Sequence, residues 1–235
     1  MANDIDDLVA ANRILAKQGI LDSFGHVSVR DAANPERYVM SRSLAPELVT
    51  ADDIFTFDAA FSKPVVDTDL SLYSERFIHG AIYKARPDVN AVVHTHSPSI
   101  IPFGIVASVP LRPVYHMTGF LHAGVPIYEI RNDAGMSDML IRNVELGEAL
   151  ARVLGNKTVA LMRGHGNVVV APTIPLVVYR AIYTEINARL QMQALSLGGS
   201  INYLEPEEGK KLDESMIKFG IHRPWEYWKQ SVLEK

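Results

Sequence analysis

Short apolar runs of strand length alternate with amphipathic helical segments along the sequence. Runs such as residues 90–93 and 159–162 are typical of buried strands, whereas apolar residues three or four apart, as in residues 72–85, indicate helices. Several predicted strands are joined by short links, which favours antiparallel pairing because a parallel pair needs a long crossover. The pattern predicts an α/β fold in which helices cover a mostly antiparallel sheet.

Turn and capping residues set the limits of the predicted elements. Pro87 ends the helix before it, and Thr173 and Gly198 bracket the longest helix as its candidate cap and its end. Strands are predicted around residues 24–29, 38–40, 54–57, 90–96, 109–113, 126–130, 159–162 and 167–170. Helices are predicted around residues 5–19, 72–85, 144–154 and 175–197, and in the tail from residue 206 onward.

Composition excludes several classes of function. The chain has no cysteine, so disulfides, thiolate metal ligands and a cysteine nucleophile are excluded. The formal net charge is -4 and the basic residues are scattered, so no nucleic-acid partner is expected. No apolar stretch approaches the roughly 18 residues of a membrane span, and the acidic start lacks the pattern of a signal peptide. We therefore expect a cytoplasmic protein with no membrane partner.

The predicted strand at residues 90–96 ends in His94-Thr95-His96. Side chains two residues apart on a strand point to the same face, so both imidazoles can reach one metal ion. The alternative is two partly exposed surface histidines. A third histidine, His165, stands between two glycines after the strand at residues 159–162. The glycines allow a tight turn and a close approach to another element, although a simple β-turn explains the same residues.

Glu75 lies on the same face of its predicted helix as Ile78 and Ile82, which form part of the apolar stripe. A carboxylate there is either a residue favoured by the helix dipole or an acid/base beside the metal. His79, one helical turn later, is interpreted as a packed helix histidine. Three histidines would leave a fourth position on zinc open for substrate, and other first-row ions accept the same ligands.

Four segments in this order resemble the class II aldolase and adducin family. They are the Gly-His-Val-Ser-Val-Arg segment at residues 25–30, the Ser74-Glu75 pair, the histidines of residues 94–96, and Arg-Gly-His-Gly at residues 163–166. The resemblance spans nearly the whole chain and implies a single domain over residues 1–235. It implies a three-layer α/β/α fold around a central, mostly antiparallel sheet. It also implies a homotetramer with active sites at subunit interfaces.

The resemblance assigns roles to the polar residues. His94, His96 and His165 would hold one divalent metal per subunit, zinc or manganese, with iron as a further candidate. Glu75 would be the catalytic acid/base. The aromatic tail, with Trp225 and Trp228, would either reach a neighbouring subunit's site or pack on its own subunit.

The chain departs from the sugar-phosphate members of the family at three places. Gly25-His26 replaces a Gly-Asn pair, residues 41–46 contain no glycine, and Tyr73 stands where a serine is usual. A phosphate site depends on small donors and exposed backbone N–H groups, so we infer that it is lost.

His26, Arg42 and Tyr73 could instead surround a planar carboxylated ring, since arginine binds carboxylates and aromatic groups stack on rings. This pattern resembles the family's decarboxylase branch, which acts on hydroxylated aromatic or pyridine carboxylic acids. The predicted substrate-binding residues are His26, Arg42, Ser74, Tyr115, His116 and Arg163, with pairing to a surface acid as the alternative for Arg163.

The sequence therefore predicts a metal-dependent lyase that decarboxylates a hydroxylated aromatic or pyridine (di)carboxylic acid. Glu75 or a nearby histidine would protonate the ring carbon. Three alternatives stay open. One is a metal-dependent aldolase for a non-phosphorylated or sugar-phosphate hydroxy-carbonyl substrate, and another is an iron-dependent oxygenase. The third is a non-catalytic assembly module like that of adducin, although such modules have lost the metal ligands that this chain retains.

Overall fold

The computed structural model describes the backbone of residues 2–233 and the side chains of residues 5–232. Its strands form one seven-stranded sheet in the order β3-β2-β1-β4-β7-β6-β5. The strands are β1 (His26–Arg30), β2 (Arg37–Ser41), β3 (Ile54–Asp58), β4 (Ala91–Thr95), β5 (Ile127–Tyr128), β6 (Val159–Met162) and β7 (Gly166–Ala171). All neighbours pair antiparallel except β5 and β6, so the predicted mostly antiparallel sheet is confirmed.

Helices cover both faces of this sheet. They are α1 (Ala2–Lys17), α2 (Arg76–Ala85), α3 (Ile101–Ile105), α4 (Arg131–Ala134), α5 (Val144–Leu154), α6 (Ile174–Ser196), α7 (Pro206–Ser215) and α8 (His222–Leu233). Short 3-10 segments lie at residues 46–48, 51–53 and 116–121, and a π-helical turn lies at Met216–Gly220.

Two separate hydrophobic cores result, one on each face of the sheet. Val92 belongs to the core formed with α2 and α5, whereas its neighbour Val93 belongs to the core formed with α1, α6 and α8. Adjacent strand residues point to opposite faces, so a strand buried on both sides is apolar at successive positions. This arrangement confirms the three-layer α/β/α fold.

The strand predicted at residues 109–113 is wrong. This segment is irregular, and side chains of α6 satisfy its backbone in place of a neighbouring strand. Asn187 bonds the Arg112 carbonyl and the Val114 N–H at 2.8 and 2.9 Å. Gln191 bonds the Pro110 carbonyl and the Arg112 N–H at 2.8 and 2.9 Å. The side-chain amides of Asn187 and Gln191 thus bond the backbone N–H and carbonyl groups that a neighbouring strand would otherwise have to bond.

Two further elements are shorter than predicted. The helix expected at residues 72–85 begins at Arg76, because the segment before it is bonded to an earlier loop: the Tyr73 hydroxyl donates to the Leu44 carbonyl, and Ser43 N–H donates to the Ser71 carbonyl at 2.8 Å. The strand expected at residues 126–130 is only Ile127–Tyr128. Pro126 has no N–H to donate, and Ile130 already has helical dihedrals as it leads into α4.

The C-terminal tail is helical, as predicted, and folds back on its own chain. Trp225 and Trp228 are 5% and 7% exposed and join the core that contains α1 and α6, whereas Tyr227 is exposed. None of the helices in residues 2–233 is both long and apolar enough to span a bilayer.

Candidate metal centre

The central strand β4 carries the first two histidines to one end of the sheet. β4 lies between β1 and β7, where His94 is opposite both His26 and Val168. His94 is fully buried, and His96 follows the last strand residue, Thr95. The Nε2 atoms of His94 and His96 are 3.2 Å apart, so the two rings meet as the spacing predicted.

The turn between β6 and β7 brings in the third histidine. Gly164 has a φ of +63°, a conformation that favours glycine, and it turns the chain directly before His165. A Cβ at Gly166 would lie 1.9 Å from the Thr95 carbonyl oxygen, so only glycine lets this turn approach the end of β4 so closely. As a result, His165 Nε2 lies 3.1 Å from His96 Nε2.

Glu75 occupies the N-cap position of α2 and is 6% exposed. Its Oε1 accepts a hydrogen bond from the backbone N–H of Ile141 at 2.9 Å. Its Oε2 lies 3.5 Å from the Nε2 atoms of both His94 and His165. One carboxylate oxygen is thus fixed by the protein, and the other faces the histidines.

The ligand atoms of these four residues all lie within 4.8 Å of one another. Each histidine also places its Nδ1 against an oxygen: the Asn167 carbonyl, the Asp22 carboxylate and the Met139 carbonyl, at 3.2, 2.9 and 3.1 Å for residues 94, 96 and 165. Carbonyl and carboxylate oxygens only accept, so these contacts favour a proton on every Nδ1.

Three Nε2 lone pairs and one carboxylate oxygen therefore converge on one point. Such atoms repel one another at 3.1–3.5 Å unless a proton or a cation lies between them. Three imidazoles oriented by outer hydrogen bonds form the donor set that zinc and similar divalent ions prefer. The residues present fit a divalent metal ion, and several first-row ions accept this donor set.

The electrostatics of the cluster keep Glu75 ionised. Burial raises the pKa of Glu75, but when a proton lies between Oε2 and the histidines, hydrogen bonds and charge interactions with His165 and His94 outweigh burial and hold the pKa well below its ordinary value. Burial lowers the pKa of His94, so that imidazole is held neutral. Burial lowers the pKa of His165 as well, but Glu75 more than reverses this, and the net shift is upward.

A cavity of about 520 Å³ opens beside the cluster, with Glu75 and His96 in its wall. His26 and Ser74, two predicted substrate-binding residues, also line it. The rest of the lining is Ser23, Phe24, Ser43, Leu44, Ala45, Leu48, Tyr73 and Leu140. Aromatic and apolar groups thus surround a few polar ones, as in sites that bind small rings.

The other predicted substrate residues lie elsewhere. Arg42 Nε pairs with Asp53 at 2.7 Å, and Arg163 Nε pairs with Glu129 at 2.8 Å. Neither arginine lines the cavity beside the cluster.

Tyr115 and His116 are also outside that cavity. Their rings pack edge to face, and His116 lines a second cavity of about 480 Å³, formed with Tyr183, Arg223 and Tyr227 among other residues. Their roles as substrate-binding residues stay predictions.

Three groups that hold the histidines were not predicted. Asp22 lies in an irregular segment, and Met139 and Asn167 act through backbone carbonyls, which every residue has. Sequence patterns carry no signal for a backbone carbonyl acceptor. The signal that could have pointed to Asp22 is a carboxylate in the loop before the first strand.

Comparisons with known proteins identify a family and several relatives. Residues 6–192 match the family described as class II aldolase and adducin N-terminal domain. The chain is 34% identical to decarboxylase tropJ of Talaromyces stipitatus, over 95% of this chain and 92% of that protein. It is 29% identical to 3,4-dihydroxyphthalate decarboxylase of Arthrobacter keyseri, over 94% of this chain and 90% of that protein.

A solved structure shares the fold. L-fuculose 1-phosphate aldolase from Glaciozyma antarctica PI12 superposes with a TM-score of 0.78 at 22% identity, covering 98% of this chain and 88% of that one. At that identity the likeness concerns the fold alone. The matched family, the curated decarboxylases and the cluster of histidines and glutamate lead to one conclusion: the chain belongs to the class II aldolase and adducin N-terminal domain family and is a lyase-type enzyme.

Proposed function

We propose that the protein decarboxylates a hydroxylated aromatic or pyridine (di)carboxylic acid, with one divalent metal held by His94, His96 and His165. One observation carries the proposal: three Nε2 atoms and the Glu75 carboxylate converge at the wall of a cavity, while every Nδ1 is bonded outward. Zinc and manganese are the proposed metals, with iron as a further candidate. The ion would supply a positive charge that stabilises negative charge developing on substrate oxygens.

The cavity supports the proposed substrate class. Tyr73 and His26, whose ring centroids lie 4.6 Å apart, pack on each other in the cavity wall, and Leu44 and Leu48 add apolar side chains to it. These groups suit a planar ring better than a flexible sugar chain. The Tyr73 hydroxyl donates to the Leu44 carbonyl, which closes the glycine-free loop where a phosphate would need free N–H groups. Two relatives are named as decarboxylases, and one name specifies 3,4-dihydroxyphthalate.

Glu75 has the position and charge for the proton transfer in this proposal. With its lowered pKa the ionised carboxylate is a weak base, and it would take the proton of the substrate's ring hydroxyl because the cation would lower the pKa of that hydroxyl. The bond between the ring and the carboxylate then breaks, carbon dioxide leaves, and the electron pair remains on the ring carbon. Glu75 returns its proton to that carbon, and the product oxygen takes a proton from solvent. Because Ile141 N–H fixes Oε1, both transfers would use Oε2, the oxygen that faces the histidines.

We further propose a cytoplasmic homotetramer, as the family resemblance implies. Exposed Phe24 and Leu48 line the cavity with 71% and 63% exposure, which suits side chains covered by another subunit. In such an assembly Tyr115 and His116 could complete a neighbouring subunit's site. Sedimentation velocity would detect the tetramer, and a monomer at micromolar concentration would contradict it.

The function is tested by carbon dioxide release from a panel of hydroxylated aromatic and pyridine dicarboxylates that includes 3,4-dihydroxyphthalate. The protein is stripped of metal and reloaded with zinc, manganese or iron. We expect release only after reloading, and only from acids with a hydroxyl beside a carboxylate. His165→Gln should abolish release, whereas His122→Gln, outside the cluster, should not. No release from any acid, with metal demonstrably bound, would overturn the proposal in favour of an aldolase.

A further inference from the structure

A chain of buried hydrogen bonds begins at the cavity and runs away from it. His26 lines the cavity, and its Nδ1 lies 2.7 Å from His79 Nε2. His79 Nδ1 lies 2.5 Å from Ser28 Oγ, which in turn lies 2.8 Å from the Tyr83 hydroxyl. All four side chains are at most 1% exposed. Packing of β1 against α2 needs none of these polar groups, so their alignment calls for a functional explanation.

The direction of the protons follows from the closed end of the chain. The Tyr83 oxygen accepts a hydrogen bond from the Val92 backbone, so its own proton is directed to Ser28 Oγ, which lies 2.8 Å away. Ser28 then donates its own proton to His79 Nδ1. A histidine that accepts at Nδ1 carries its proton on Nε2 and donates it to His26 Nδ1. His26 must in turn carry its proton on Nε2, the ring nitrogen left for the cavity.

This chain positions a proton and does not conduct one. A conducting chain needs a group at the far end that gives up and regains protons, and the buried Tyr83 phenol does neither at ordinary pH. His26 lines the cavity beside the cluster, and its ring centroid lies 5.1 Å from that of His94, so a donor on His26 would lie next to the candidate metal centre.

We propose that Tyr83, Ser28 and His79 are positioning residues that fix His26 as an Nε2–H donor to a substrate carboxylate oxygen. This inference rests on the proposed function for the identity of the substrate. The arrangement of the protons, in contrast, can be measured without any substrate. Binding to a charged oxygen is where a fixed donor has its largest effect, since hydrogen bonds to charged groups exceed neutral ones.

The first test reads the protonation of His26 directly. Nitrogen-15 NMR of zinc-loaded protein with labelled histidine distinguishes the two ring nitrogens, and His26→Gln assigns the signal. We expect neutral His26 with its proton on Nε2, and a shift of that signal when phthalate, which lacks the ring hydroxyl, is added. A proton on Nδ1 in the unaltered protein would overturn the proposal, as would a His26 signal that phthalate does not move.

The second test removes the middle of the chain. Ser28→Ala should leave His26 as a mixture of two tautomers and lower kcat/KM about 2- to 10-fold, the range of one net hydrogen bond, with zinc content unchanged. Ser62→Ala is the matched control, because Ser62 is also buried but donates to the Arg76 carbonyl, which is not part of this series of hydrogen bonds. Equal effects of the two changes on the tautomer would refute a positioning role. Absence of carbon dioxide release with the expected NMR result would instead refute only the proposed reaction.

Discussion

Replacing Glu75 by glutamine separates the metal centre from the proton transfer. Glutamine has nearly the same size as glutamate and keeps a carbonyl oxygen. That oxygen can accept the hydrogen bond that Ile141 N–H donates to Glu75 at 2.9 Å. The change removes the negative charge at Oε2, 3.5 Å from His94 and His165, together with the ability to carry a proton. The fold of this end of α2 should therefore be retained.

The size of the effect follows from what is lost. General acid–base catalysis contributes about 100- to 10,000-fold to rate, so kcat should fall within that range. The three imidazoles remain, each still oriented by its outer oxygen, and they would hold the proposed metal. Loss of a carboxylate near a metal site typically weakens metal binding by about 10- to 100-fold, which excess metal would overcome.

The assay combines carbon dioxide release with metal content measured on the same sample. Glu185→Gln is the matched control, because Glu185 is also buried, at 3% exposure, and also accepts a backbone N–H, that of Ser99 at 3.2 Å. We expect full metal content in both variants and loss of turnover only in Glu75→Gln. Full activity of Glu75→Gln would refute its role as the proton carrier. Loss of metal that excess ion does not restore would make Glu75 chiefly a ligand.

Three further changes test the geometry. Chelation of the metal should lower the melting temperature and reloading should restore it, because an ion that binds only the folded state stabilises that state. In His165→Gln the change in melting temperature should be smaller, and an equal change would argue against this site. Gly166→Ala should lower the free energy of unfolding in urea by about 1–3 kcal/mol and reduce metal content, because the added Cβ would lie 1.9 Å from the Thr95 carbonyl oxygen. Gly199→Ala is the control and should do neither, because a Cβ added there has no heavy atom within 4 Å. Burial raises the pKa of Asp53, but hydrogen bonds from Thr50 and Arg42 lower it by more than burial raises it, so the net shift is downward. Its stabilising contribution is therefore present above the ordinary pKa of 3.8 and is lost as pH falls through the lower folded value. Asp53→Asn should accordingly make stability less dependent on pH in acid, and an unchanged pH profile would contradict the assigned shift.

Much of the site could be predicted because its key spacings are local. His94 and His96 share a direction because strand side chains repeat every two residues, and β4 is marked by its apolar residues. The glycines beside His165 indicated a close approach, and the approach to Thr95 is its physical cause. Glu75 was expected inside its helix and lies at the N-cap, one position before the helical residues begin.

Arg42 and Arg163 illustrate what local patterns do not decide. Both were predicted to bind a substrate carboxylate, and guanidinium chemistry suits that role. In the structure each pairs with an acidic residue of its own chain, Asp53 and Glu129. Whether an arginine meets a substrate or a protein carboxylate depends on which carboxylate the fold brings near, and no periodicity encodes that.

The sequence by itself predicted helices that cover a mostly antiparallel sheet and a strand that carries two histidines, and these features depend on periodicity and backbone conformational preference, which act over a few residues. The resemblance to the class II aldolase and adducin family, and not periodicity, assigned His94, His96, His165 and Glu75 to one site. The tertiary structure decided which groups hydrogen-bond the histidines and the irregular segments from outside. Asp22 meets His96 across 74 positions of sequence, and Asn187 replaces a predicted strand partner for Arg112 across 75. Such partners are selected by chain packing, because any nearby oxygen or amide can satisfy a buried polar group, and only the folded chain determines which one is near.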